Sequence, residues 1–277
     1  MIRSNWHIHS ECSYDASLPL EIIARKAVEM GYEQIGITDH ANYNDKAFIG
    51  DITRSASSVK KIRERYPFIT LGVELTPIEK PEYDYIKRHG TRDGYIAPIQ
   101  DKPFDIELAL TKDELTSLGI RYAIGAAHWR IDVPKARSLA PDMSACIKEW
   151  FRLQMWLACD ERVTVLGHPW YHCEQIWYDD FSVIPKSMNC ELAAALLENG
   201  KYAECNASFF LHEKSTEKFR YQYAEFLREL FESGIKITYG SDSHHSFTDN
   251  RDKVGVYLSA AGFKDGDFSE ISPSALW

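Results

Sequence analysis

Two histidines separated by one residue, His7 and His9, stand near the start of the chain, and Asp15 follows six residues later. In a strand, residues i and i+2 face the same way, so the two imidazoles would project side by side with a carboxylate just beyond. Imidazole nitrogens and carboxylate oxygens are ordinary protein ligands of zinc, manganese and iron. A lone His-x-His also occurs on the polar face of an edge strand, so the rest of the chain has to give the pair its meaning. Further residues of the same types follow. His40 closes "EQIGITDH", Glu74 sits in "ITLGVEL", His128 closes "YAIGAAH", His168 sits in "VTVLGHP", and Asp242 and His244 stand in "IKITYGSDSH". Six of the ten histidines therefore fall at the ends of short apolar runs. Buried histidines need partners, and six unrelated ones would need an extensive network. A shared metal or catalytic site accounts for all of them together.

The elements that must position these residues can be read from the same runs. They are short, β-branched or small and almost continuously apolar, as strands buried on both faces of a parallel sheet are. "YAECNAS", reaching Asn206, completes a set of seven. From His9 the steps to His40, Glu74, His128, His168, Asn206 and Asp242 are 31, 34, 54, 40, 38 and 36 residues, and one βα unit takes about 30 or more. Helical periodicity fills the gaps at 18–31, 141–161, 185–200 and 215–234. Ser215 is the expected N-cap of the last of these, without the acidic partner of a capping box. The long step holds a Pro-containing, charged stretch, read as an irregular inserted loop at about 76–110 that resumes with a helix at "TKDELTSLG". Such a loop serves as a lid or substrate contact, or is simply solvated. In the tail, "RDKVGVYLSAAGF" is expected to form a final helix, with the last residues as a closing strap. The expectation is one domain over 1–277, a seven-stranded (β/α) barrel whose strand ends share one rim, where active sites are built.

Composition narrows the function. With 44% hydrophobic and 26% charged residues the chain is ordinary for a globular protein. A net charge of −9 argues against nucleic-acid or acidic-membrane partners, which call for a basic face. No secretory pattern or apolar run of membrane-spanning length stands out. The six cysteines are dispersed without a Cys-x-x-Cys pair, as free thiols of a cytoplasmic protein would be.

The ordered set "HIHSECSYD…ITDH…GVEL…AAH…GHP…YGSDSH" resembles the PHP family, named for polymerase and histidinol phosphatase, from His7 to His244. The resemblance implies a distorted seven-stranded TIM-like barrel with a trinuclear metal centre in a metal-dependent phosphoesterase. Carried over by position, it implies a first metal on His7, His9, Glu74 and Asp242. A second, bridged by Glu74, would lie on His128 and His168, and a third on Asp15, His40 and His244. Zinc, manganese and iron all suit such donors, and bound divalent ions would neutralise phosphate oxygens and make water a better nucleophile. Glu74, Asp242 and His244 are the expected catalytic residues. Asp39 is expected either to orient a histidine or to cap a helix.

Substrate contacts are where the chain departs from the family. The histidinol phosphatase branch carries an arginine soon after the fifth-strand histidine and another after the sixth-strand Glu-x-Asn element. Here "GHPWYHCEQI" and "ECNASFFLHEKS" contain none, although Glu204-Cys205-Asn206 is present. Arg130, His172 and Asn206 are the expected substrate-binding residues, with Arg54 and His212 as further candidates. The expected function is hydrolysis of small phosphate monoesters, histidinol phosphate first. Nucleotide or sugar phosphates, a non-catalytic metal-binding module, an exonuclease-type phosphodiesterase and an amidohydrolase are the alternatives.

Overall fold

The computed structural model describes residues 2–42, 49–96, 98, 103–128, 143–171 and 178–271. The first apolar runs become β1 (Ser4–Asn5), β2 (Gln34–Ile37) and β3 (Ile69–Leu71), paired in parallel in that order. After Gly72 the chain resumes as β4 (Val73–Leu75), and a short antiparallel pair, β5 (Ile78–Glu79) and β6 (Ile106–Glu107), stands apart. β4 then pairs in parallel with β7 (Ala123–Gly125), followed by β8 (Val165–Leu166), β9 (Tyr202–Asn206) and β10 (Lys236–Gly240). Every residue of β9 is buried, which is why these strands read as continuous apolar runs rather than as alternation.

Two seams join the three- and five-stranded sheets. At the first, Gly72 N donates to Ile37 O (2.8 Å) and Val73 N to Tyr122 O (3.2 Å), so the run 69–75 serves both sheets. At the second, Trp6 N donates to Tyr239 O (2.8 Å) and Asp242 N to His7 O (2.8 Å), while Ile8 bridges Ser243 in parallel. The seven expected strands are all present, in the neighbour order of a distorted TIM-like barrel. The distortion lies at the seams, where single bonds and isolated bridges replace a ladder.

Helices connect the strands, α1 (Leu20–Glu29), α2 (Ile49–Ile62), α3 (Lys80–His89), α4 (Lys112–Ser117), α5 (Met143–Cys159), α6 (Lys186–Glu198), α7 (Ala207–Phe210) and α8 (Glu217–Glu232), and α9 (Arg251–Ala260) follows β10. α4 opens with a full capping box: Thr111 Oγ1 accepts from Glu114 N (3.3 Å), and Thr111 N donates to Glu114 Oε2 (2.7 Å). Two expectations are corrected. The N-cap of α8 is Thr216, whose Oγ1 accepts from Phe219 N (3.1 Å), while Ser215 Oγ donates to Phe209 O (3.2 Å). The insertion at 76–110 is not irregular, since α3 and the β5–β6 pair lie within it.

One continuous cluster of buried side chains draws residues from Ile2 to Phe263. A second, built from Trp6, Tyr122, Ile124, Val165, Tyr202 and Ile271, sits toward the N-terminal ends of the strands. Tyr122 fits there because position 36 has no side chain: a Cβ on Gly36 would lie 1.7 Å from the Tyr122 hydroxyl oxygen. That hydroxyl donates to Trp6 O (2.5 Å). Phe268 bridges Ile237, Ser269 N donates to Ile237 O (2.8 Å), and Ile271 joins the cluster at the same end; residues 272–277, expected to end the closing strap, lie outside the described residues. Among the described residues no helix is long and apolar enough to cross a membrane, and the five described cysteines are free thiols.

Candidate metal centre

With one end of the barrel filled by aromatic rings, the ligand-type residues collect at the other. His7 and His9 follow β1, His40 follows β2, Glu74 lies in β4, His128 follows β7, His168 follows β8, and Asp242 and His244 follow β10. Asp15 is held in the loop after β1, where its Oδ1 accepts from Ser13 Oγ (2.9 Å). The structure brings all nine together in three groups: His7, His9, Glu74 and Asp242; Glu74, His128 and His168; and His9, Asp15, His40 and His244. The first two groups match the partition expected by position. The third also draws in His9.

Glu74 is the hub. Its Oε2 lies 3.1 Å from His7 Nε2, 3.2 Å from His9 Nε2 and 3.3 Å from His40 Nδ1. Its Oε1 lies 3.2 Å from His128 Nε2 and 3.3 Å from His168 Nε2. Asp242 Oδ1 closes the first group, 3.4 Å from His7 Nε2 and 3.3 Å from His9 Nε2. Asp15 Oδ2 stands 3.2 Å from His40 Nε2 and 3.6 Å from His244 Nε2. Glu74 and His7 are fully enclosed, whereas the side chains of His244 and Asp15 are 27% and 31% exposed. The cluster therefore opens to solvent on the Asp15–His244 side.

Glu204, from β9, holds the buried end in place. Its Oε1 lies 2.7 Å from His7 Nδ1 and its Oε2 accepts from His168 N (2.7 Å). This close approach requires glycine at 240, where a Cβ would lie 1.9 Å from Glu204 Oε1 and 2.5 Å from the His7 Cβ. The backbone at two of the ligand-type residues is also strained, with His168 at φ 23° and Asp242 at φ 53°. Left-handed conformations in non-glycine residues persist where the surroundings enforce them, commonly at functional sites.

Other expected residues fall differently. Among the described residues Asp39 meets an amide and two hydroxyls rather than an imidazole or a helix N-terminus: its carboxylate accepts from Ser10 N (2.6 Å), Ser10 Oγ (2.7 Å) and Ser55 Oγ (2.6 Å), tying the His9 loop to α2. Asn206 is fully buried, donating from Nδ2 to Asp242 Oδ2 (3.1 Å) and Glu204 Oε2 (3.2 Å) and accepting from Phe209 N (2.9 Å). That corrects its expected role, because it supports Asp242 rather than facing substrate. Arg54 donates to Glu11 O (2.5 Å), and His212 Nδ1 accepts from Lys214 N (3.2 Å). Arg130 and His172 lie outside the described residues. Sequence reasoning passed over Thr76, at 2.8 Å from His128 Nδ1, and Tyr171, whose ring centroid is 4.8 Å from that of His168. Thr76 stands two residues beyond Glu74 on the same run, a signal open to a strand-face argument. Tyr171 had none.

Burial opposes charge on every enclosed member, and the outcome depends on neighbours. At His7 the Glu204, Glu74 and Asp242 carboxylates outweigh burial and raise the imidazole pKa well above its ordinary value. At His9 hydrogen bonds to Asp242 and Glu74 do the same, to about 9. At His40 burial wins and the pKa is pushed down to about 4. Burial would raise Glu74 and Asp242, but the surrounding imidazoles hold both well below the ordinary carboxylate range. Both carboxylates are held ionised, and a cation taken up by His7 and His9 would displace their protons. The spacing of the donor atoms fits divalent cations: a tetrahedral ion with bonds of ~2.1 Å separates its donors by roughly 3.4 Å. In the first group His7 Nε2 and His9 Nε2 are 3.0 Å apart, and their distances to the Glu74 and Asp242 oxygens run up to 3.4 Å.

The profile of the PHP domain matches residues 5–264. The chain belongs to the PHP domain family. No curated protein sequence matches it. Among solved structures, this PHP chain is similar in fold to histidinol phosphate phosphatase (HisK) from Lactococcus lactis subsp. lactis Il1403, complexed with zinc, L-histidinol and phosphate. The two share 19% identity at a TM-score of 0.64 over 95% of this chain and 94% of that one. A structure of the metal-dependent tyrosine phosphatases YwqE from Bacillus subtilis and CpsB from Streptococcus pneumoniae matches at 18% identity. Its TM-score is 0.45, over 100% of this chain and 91% of that one.

Proposed function

We propose that this PHP chain is a single-domain, metal-dependent phosphatase of small phosphate monoesters, with histidinol phosphate as its substrate. The observation that carries the reading is the convergence of nine donor side chains into three groups that share Glu74 and His9. Family membership supports the phosphoesterase class, and the fold is that of a phosphatase complexed with L-histidinol and phosphate. His7, His9, Glu74 and Asp242 would hold one divalent cation, Glu74, His128 and His168 a second, and Asp15, His40 and His244 a third. The donor chemistry suits zinc, manganese or iron. Such ions, when bound, supply positive charge for phosphate oxygens and acidify water.

The chain's own groups do the rest. Glu204 fixes the His7 ring through Nδ1, and Asn206 fixes the Asp242 carboxylate through Oδ2. Glu74, Asp242 and His244 stand nearest the chemistry. The partly exposed Asp15 and His244 border the opening through which an ester would enter, and His244 Nδ1 lies 3.1 Å from Asp242 O, which turns its Nε2 toward Asp15.

Phosphate release is the test, measured on metal-reloaded protein with histidinol phosphate, nucleoside monophosphates, sugar phosphates and a nucleotide diester. The reading predicts the highest kcat/KM for histidinol phosphate and no release after chelation. Faster turnover of another monoester would replace the substrate and keep the chemistry. Chelator-insensitive release, or none from any ester, would contradict the reading.

A further inference from the structure

A histidine makes a better-oriented ligand when the ring nitrogen turned away from the cation is held by a hydrogen bond. His7 Nδ1 is held by Glu204, and His244 Nδ1 lies against a backbone carbonyl. His128 is held differently, with both of its ring nitrogens met from one run of the chain. Glu74 and Thr76 are two residues apart on the run that begins at β4, so they share a face. Glu74 Oε1 lies 3.2 Å from His128 Nε2, and Thr76 Oγ1 lies 2.8 Å from His128 Nδ1. Thr76 is itself fixed: it is 1% exposed, and its N–H donates to Asn42 Oδ1 (3.0 Å), Asn42 being 2% exposed.

We infer that Thr76 is the positioning residue for His128 and, through it, for the Glu74–His128–His168 group; this rests on reading that group as a metal site. A hydroxyl oxygen that accepts the Nδ1 proton selects one neutral tautomer, with the lone pair on Nε2, and stops the ring from turning over about its last torsion. Such a hold matters more at His128, whose side chain is 19% exposed, than at His168, which is 2% exposed. Threonine, with a hydroxyl short enough to sit beside the strand, supplies the acceptor without adding another charge to a cluster already rich in carboxylates.

The test is metal affinity, by chelator competition with zinc and with cobalt(II), whose absorption reports ligand geometry. Wild type, Thr76→Val and Thr76→Ser are compared, with circular dichroism of the chelated proteins to confirm folding. Thr76→Val is expected to bind one class of ion about 10–100-fold more weakly, leave the other classes unchanged and alter the cobalt spectrum. Thr76→Ser is expected to restore both. Should the valine variant not fold, Thr76→Ala is measured in its place and is expected to show the same loss. Unchanged affinities in Thr76→Val overturn the inference, as does a serine variant as impaired as the valine one, which would assign the effect to the methyl group. A wild-type protein that takes up no metal overturns the reading of the site and this inference with it.

Discussion

At the scale of single residues, the centre divides into side chains whose type announces their chemistry and side chains whose role depends on what they touch. His7, His9, Asp15, His40, Glu74, His128, His168, Asp242 and His244 were legible because metal-ligating types recur at the ends of apolar runs, and the structure gathers all nine. Asp39 and Glu204 show where that legibility ends. Both are buried carboxylates on the same rim, and Asp39, next to His40 in sequence, is the more conspicuous. Yet its oxygens are taken by Ser10 and Ser55, and the carboxylate that meets an imidazole is Glu204. Sequence adjacency does not set side-chain direction, whereas the register of β9 beside β10 and the missing side chain at Gly240 do. Glu204→Gln should therefore keep the fold but weaken cation binding at the His7 group by about 10–100-fold, as loss of a ligand-orienting carboxylate typically does. Competition with a chelator of known affinity checks this, and an unchanged affinity would remove Glu204 from the site's support.

At the scale of elements, the strands and the long helices followed from periodicity, and the departures have physical causes. Proline made 76–110 look irregular, but Pro81 falls in the first turn of α3, where the amide hydrogen it lacks has no helical partner anyway. Tyr83 and Ile86, three residues apart, bury the same face of that helix. Ser215 and Thr216 are adjacent hydroxyls, and only the backbone path decides which of them caps α8. The insertion is tied to the barrel by the turn between α5 and β8. There Arg162 reaches Glu107 Oε1 (2.8 Å) and Leu110 O (3.2 Å) while gripping Asp160 (2.6 Å). Burial would raise the Asp160 carboxyl, but hydrogen bonds and charge from Arg162 hold it below its ordinary value. A carboxyl with a lowered folded-state pKa stabilises the fold above the unfolded value of ~4 and loses that contribution as pH falls through the folded-state value. Asp160→Asn should therefore lower Tm at neutral pH, with the gap from wild type closing as the pH drops below ~4. A gap of constant size in melts across that range would contradict this.

At the scale of the whole molecule, the parallel order of the strands turns residues scattered from His7 to His244 into one cluster, and the expected barrel was enough to foresee it. Its finer partition was legible only in part: two of the three groups are as expected, but His9 also enters the third, and Glu74 meets five imidazoles only once the seams at Gly72 and Trp6 bring β4 and β10 alongside β2 and β1. The direction of access was not legible either, since it depends on which donor-type side chains remain uncovered: Asp15 and His244 do, and Glu74 does not. The measurement that tests the central claim most directly is a titration of metal-stripped protein with manganese or zinc, reading bound metal and phosphate release from one sample. Turnover should rise from zero and level off at three ions per chain, one for each donor group. Turnover that is already complete in the stripped protein, or that ignores the metal bound, would contradict the account.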